Sequence, residues 1–203
     1  MTTKLNYRER SKQESIKKIL NTTKMMILEG SYFTTTTRRI AKAAGISVGL
    51  IYKYFPKGKP EIAFEICKKE YAKFLKNIKI PSLTLKNLPD YIREILKDFV
   101  EFHNERAQLI AALDIAFLSK KNYILDFDEA EILEMNPIPK ILEQLYQSKA
   151  DDLNKIEKMN IILLNTIESL IHRHVNYSKI FDTDEELVEF LVYLTIQILN
   201  FKI

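Results

Sequence analysis

Residues 34–62 read TTTTRRIAKAAGISVGLIYKYFPKGKPEI, and two helix starts divide them. Thr36 is placed to cap a helix whose inward positions are Ile40, Ala41 and Ala44, because a threonine hydroxyl satisfies an amide that the first helical turn leaves without a partner. Gly45 follows and supplies the residue able to take a positive φ, after which Ser47 caps a second short helix running to Phe55. Two capped helices meeting at a glycine form a helix-turn-helix, in which the second helix is presented outward. That helix carries Tyr52, Lys53 and Tyr54, and the first carries Arg38, Arg39 and Lys42, so phosphate-seeking and base-seeking groups share one surface. The pattern implies a reader of double-stranded DNA.

The charge along the chain agrees. Residues 1–79 hold 18 Lys/Arg against 6 Asp/Glu, a net of +12, whereas residues 80–203 hold 13 against 21, a net of −8. A polyanion suits the basic half, and nucleic acid is favoured over a membrane because the positive residues accompany the turn motif. With 46% apolar residues among 203, the chain can bury a sizeable core. Nothing reaches the roughly 18 consecutive apolar residues of a membrane span, and the opening MTTKLNYRERSKQES is too polar for a secretory signal. A cytoplasmic location is expected. The single cysteine, Cys67, has no internal disulfide partner.

Helical periodicity dominates, and only four glycines and six prolines interrupt the chain, which predicts an all-α fold of about nine helices. The first helix is expected to begin at a capping box, Ser11 with Glu14 three residues on, to bury Ile16, Ile19, Leu20, Thr23 and Ile27, and to stop at Gly30. Pro60 opens a helix with the inward stripe Ala63, Ile66, Cys67, Phe74 and Ile78. Three parts follow: a helix-turn-helix DNA-binding domain over 1–58 with a basic N-terminal arm, a connecting helix over 59–79, and a helical ligand-binding and dimerisation domain over 80–203. The arm, with Lys4, Arg8, Arg10 and Lys12, reads either as a groove or backbone contact or as a solvated tail. The acidic cluster at 126–134 reads as a capped helix start more readily than as a cation site.

The last two helices, about 152–177 and 184–202, contain IILLNTIESLI at 161–171 and LVEFLVYLTIQILNF at 187–201. Both are apolar over far more than one stripe, so one packed face does not hide them. A twofold dimer that buries these helices against their copies solves the problem, with Leu187, Leu191, Leu194 and Ile198 as the expected interface. A monomer with a deep helical core is the alternative.

The residues also resemble a known family. A first helix ending at Gly30-Ser31-Tyr32, Thr35-Thr36 opening the next, Ile40-Ala41 within it, Ala44-Gly45-Ile46-Ser47 at the turn and Gly49-Leu50-Ile51-Tyr52-Lys53-Tyr54-Phe55 as recognition helix resemble the DNA-binding domain of TetR/AcrR-type transcriptional regulators over about residues 10–66. The resemblance implies a homodimer with a four-helix interface from the last two helices, a ligand cavity in the C-terminal domain, and release of a pseudo-palindromic operator when a small molecule binds. The helix over 59–79 would be the lever. By position, Thr37, Arg38, Val48, Leu50, Tyr52, Lys53, Tyr54 and Lys59 are the DNA-facing set, joined by Thr36 and Ser47 at the helix starts. The loop 55–59 is one residue longer than the commonest family version, which leaves either Lys57 or Lys59 to take the phosphate. Val48 and Leu50 depart from the polar residues often found there and leave contacts such as a thymine methyl.

The implied ligand lining is Phe99, Phe102, His103, Leu113, Phe117, Met135, Leu142, Tyr146, Asn165, Ser169 and His172, mostly apolar with a few polar groups, as a lipophilic or aromatic effector such as an acyl chain would need. Any one of these aromatics reads equally as plain core. No cofactor or metal is expected. An enzyme is not expected either: His172 and His174 are two apart on one helix and point to different faces, His103 stands alone, and no HExxH, glycine-rich phosphate loop or nucleophile elbow occurs. The competing function is a DNA-coating or architectural helix-turn-helix protein with no small-molecule effector.

Overall fold

The computed structural model describes residues 7–84, 86–118 and 153–200 and, within them, all side chains except those of residues 117–118 and 153–157. Every regular element among the described residues is an α-helix: α1 Tyr7–Glu29, α2 Thr37–Ala44, α3 Val48–Tyr54, α4 Lys59–Asn77, α5 Leu88–Glu105, α6 Ala107–Leu118, α7 Leu153–Asn176 and α8 Asp184–Asn200. The fold is all-α. The expected acidic helix start at 126–134 lies outside the described residues. Two compact units divide the chain; the described part of the first is 7–71 and 108–118, and that of the second is 72–84, 86–107 and 153–200. Residues 108–118, grouped by sequence with everything beyond 80, fall in the first unit because Leu109, Ala112 and Ala116 pack into its core.

That core joins Ile19, Leu20 and Ile27 of α1, Ile40 and Ala41 of α2, Ile51 of α3, and Ile62, Ala63 and Ile66 of α4. Helix α1 starts before the expected capping box. Its first turn contains Glu9, whose carboxylate accepts from Gln13 Nε2 at 3.2 Å, and Ser11 sits inside the helix with its carbonyl accepting from Ser15 Oγ at 2.8 Å. The i,i+4 pair and the acidic first turn extend the helix past the sequence signal. Gly30 ends it where space is short: a Cβ there would meet Met26 O and Thr34 Oγ1, both at 3.2 Å. Cys67 on α4 donates weakly to Leu109 O at 3.4 Å, and burial, with the negative charge of Asp114 and Glu70, pushes its thiol up to about 12. At neutral pH it is therefore an inert thiol, in keeping with its place on the inward stripe.

In the second unit, α5 buries Leu88, Tyr91, Ile92, Leu96, Phe99, Val100, Phe102 and His103 against α7 and α8. Helix α8 packs on both. Its first residue, Asp184, accepts from Asn104 Nδ2 of α5 at 2.6 Å and lies 3.1 Å from His174 Nε2 of α7. His174 is 3% exposed, and its Nδ1 accepts the amides of Ile180 and Phe181 at 3.1 and 3.5 Å. Because Nδ1 accepts, Nε2 carries the proton and donates to the Asp184 carboxylate. One imidazole thus ties α7, the 177–183 turn and α8 together. His174→Ala leaves two amides without their acceptor and should cost about 1–3 kcal/mol; an unchanged denaturant midpoint would refute the tie.

Candidate nucleic-acid interface

Each turn of the helix-turn-helix is set by a local bond. Thr36 Oγ1 accepts from Arg39 N at 3.2 Å, and Ser47 Oγ accepts from Leu50 N at 3.1 Å. Between them Gly45 has φ 64°, with Gly45 N bonded to Lys42 O at 3.2 Å and Ile46 N to Ala41 O at 3.0 Å. These two bonds close the end of α2 as a Schellman motif, which needs the left-handed residue that glycine supplies without strain. Ile40, Ala41, Ala44 and Ile51 are buried, so the opposite faces of α2 and α3 point to solvent.

On those faces Arg38, Lys42 and Lys53 are exposed, and among the described residues their side chains form neither an ion pair nor a hydrogen bond. Lys53 Nζ lies 5.9 Å from the centre of the Tyr54 ring. Arg39 differs, since its Nη1 donates to Thr34 O at 2.6 Å and belongs to the turn before α2. Tyr52 is 48% exposed, and its hydroxyl is 3.4 Å from Thr37 Oγ1, so one residue from each helix meets at the surface. Val48 and Tyr54 pack in part against the core, and Leu50 is half-buried.

The loop to α4 turns on Gly58, at φ 71°, whose amide donates to Phe55 O at 2.8 Å. A Cβ on Gly58 would stand 3.1 Å from Tyr52 Cε1 and 3.7 Å from Thr37 Cγ2. Gly58→Ala therefore meets both backbone strain and the Tyr52 ring, and a loss of about 1–2 kcal/mol is expected in chemical denaturation; unchanged stability would contradict the tight packing. The expected anion site at the start of α4 is not open as read. Glu61 Oε2 accepts from Lys57 N at 2.7 Å and puts a carboxylate there, while Lys59 Nζ turns inward to Tyr32 O at 2.8 Å.

In the second unit Phe99, Phe102, His103 and His172 come together as expected. Phe74 joins them, its ring centre 5.4 Å from that of Phe99 and 4.9 Å from that of Phe102. His103 is 4.4 Å from Phe99 and 5.1 Å from His172 between ring centres, and its Nδ1 pairs with Phe99 O at 2.7 Å. A carbonyl only accepts, so Nδ1 carries the proton. Asn165 and Ser169 depart from the expected lining. Both are exposed on α7, where Asn165 Nδ2 donates back to Ile161 O at 2.8 Å. Leu113 is half-buried on α6, in the first unit. The Phe117 side chain and Met135, Leu142 and Tyr146 lie outside the described residues.

The expected dimer stripe is also displaced. Leu187 and Leu191 are 0% exposed inside the protomer, with Val188, Val192 and Leu199 on the same inward face, and Leu194 and Ile198 are half-buried. Because α8 is apolar nearly all round, its periodicity does not say which stripe faces outward. Phe190 and Tyr193 of α8 and Ile161 and Ile162 of α7 are the exposed apolar residues there.

Residues 19–66 match the model of the bacterial regulatory proteins of the tetR family. The chain takes the fold of a transcriptional regulator of the TerR/AcrR family from Aquifex aeolicus VF5, at 24% identity and TM-score 0.54, covering 91% of this chain and 99% of that one. It is similar also to a TetR-like transcriptional regulator from Rhodococcus sp. RHA1, at 18% identity and TM-score 0.53 over 90% and 96% of the two chains. A tetR-family bacterial regulatory protein from Rhodococcus RHA1 aligns at 16% identity and TM-score 0.55 over 93% and 98%. No curated protein sequence matches the chain. Fold and capped turn define a helix-turn-helix protein. Its N-terminal segment belongs to the tetR family of bacterial regulatory proteins. No described helix is long and apolar enough to cross a membrane.

Proposed function

We propose that this chain is a sequence-specific transcriptional regulator, a repressor that binds a pseudo-palindromic operator as a homodimer and leaves it when a small lipophilic effector binds. The observation that supports this reading best is the exposed set Arg38, Lys42 and Lys53, three cations that no partner in the described protein neutralises, beside the Thr37 and Tyr52 hydroxyls on two capped helices. Free cations on such a surface release counterions on meeting phosphate, and side chains of the second helix reach base edges.

The dimer uses the outward face of α7 and α8, with Ile161, Ile162, Phe190 and Tyr193. An isologous contact hides that face with one surface only. The effector occupies the second unit beside the aromatic group of Phe74, Phe99, Phe102, His103 and His172. Release is a population shift: for a hundredfold loss of operator affinity the effector must favour the incompetent state by about 2.7 kcal/mol.

Enrichment of duplexes from a random-sequence pool tests the reading. The expected product is an inverted repeat with half-sites about one helical turn, or a multiple, apart. A pool that stays random after repeated rounds would favour a DNA-coating protein instead.

A further inference from the structure

Lys59 was expected among the phosphate contacts, and its surroundings point elsewhere. Its ammonium donates to Tyr32 O at 2.8 Å and sits 3.7 Å from the centre of the Tyr32 ring. Tyr32 is 6% exposed, in the turn between α1 and α2. The same carbonyl accepts from Thr35 N at 3.3 Å, and Thr35, 1% exposed, directly precedes the Thr36 cap of α2. Burial lowers the lysine's pKa from its ordinary value, as withdrawal from solvent must. The neighbouring Gly58 carries the Tyr52 ring of α3 and the Thr37 methyl of α2 against its α-carbon.

We infer that Lys59 is a positioning residue and not a phosphate ligand: through the carbonyl and ring of Tyr32 it fixes the α1–α2 turn, and with it the capped start of α2, relative to α4. Gly58 and Lys59 together therefore hold the surface that presents Thr37, Arg38 and Tyr52. A lysine serving this purpose keeps its charge on an internal carbonyl and an aromatic face, where a cation over the ring gains electrostatically. It releases no counterion when DNA binds, and its loss blurs the geometry of base reading without removing a phosphate contact. This inference rests on the DNA-binding reading above.

The test uses the full chain, an inverted-repeat duplex enriched from a random pool, and one scrambled duplex, with affinity followed against salt. Lys53→Ala calibrates the assay and should lower the slope of log K on log salt by about 0.9. Lys59→Met, at a temperature where thermal unfolding shows it folded, should keep the unmodified slope and lose about tenfold of the preference for the selected duplex, and Lys59→Arg, able to donate to the same carbonyl and stack on the same ring, should restore that preference. Should Lys59→Met fail to fold, Lys59→Gln reads the same slope. A slope lowered as by Lys53→Ala would make Lys59 a phosphate ligand and overturn the inference. A slope and preference both unchanged in Lys59→Met would overturn it too. Binding of neither duplex by the unmodified chain would instead overturn the DNA reading itself.

Discussion

Leu191→Asp should unfold the second unit, while Tyr193→Glu should leave it folded and split the dimer. The two positions stand two residues apart on α8, yet Leu191 is 0% exposed and Tyr193 is 60% exposed. An isolated carboxylate at Leu191 loses its hydration among Leu187, Val188 and the facing side of α5, a cost of several kcal/mol against a total stability of about 5–15 kcal/mol. Even Leu191→Ala should cost about 2–5 kcal/mol. At Tyr193 the charge stays in water in the separated protomer, but in a twofold contact it meets an apolar face and its own copy. Helix content by circular dichroism and mass by sedimentation separate the two effects. A folded Leu191→Asp would contradict the inward assignment of that stripe, and an intact Tyr193→Glu dimer would move the interface off the Phe190 and Tyr193 face.

Replacing Arg38, Lys42 and Lys53 together with alanine should abolish most DNA affinity at little cost to the fold. Three lost phosphate contacts lower the salt slope by about 2.7 and affinity on the order of a hundredfold or more at physiological salt. The three side chains lack polar partners in the described protein, so stability should move by no more than about 0.5 kcal/mol for each. The single Arg38→Ala change separates its role: a loss confined to the selected duplex assigns it to a base edge, and equal losses on selected and scrambled duplexes assign it to the backbone. Unaltered binding by the triple variant would place the DNA surface elsewhere.

The parts of this fold legible in the sequence are those set within a few residues. Thr36 and Ser47 cap α2 and α3 through amides three positions on, and Gly45 takes its positive φ because the bonds closing α2 are local. The buried sets of α1 and α2 follow from a period of 3.6 over mixed apolar and polar positions. Where the period fails, so does the reading. Helix α8 is apolar on nearly every face, so nothing local tells Leu191 from Tyr193, and only the packing of α5 and α7 decides. The turn of Lys59 depends on a carbonyl 27 residues earlier in the chain, and the role of His174 on Asp184 and on amides of the following turn. Such pairings carry no spacing signal, and a lysine beside a helix start otherwise looks like an anion ligand. Asn165 and Ser169 were drawn to a ligand lining by their polarity among apolar neighbours, a pattern that an outward polar strip on α7 produces equally well.

The central claim is that the capped turn reads a particular DNA sequence, and competition between an enriched inverted-repeat duplex and a scrambled duplex across a salt titration tests it most directly. The account predicts a preference of at least about a thousandfold for the inverted repeat at physiological salt, with a slope reporting several phosphate contacts. Equal affinity for the two duplexes at every salt concentration would contradict it.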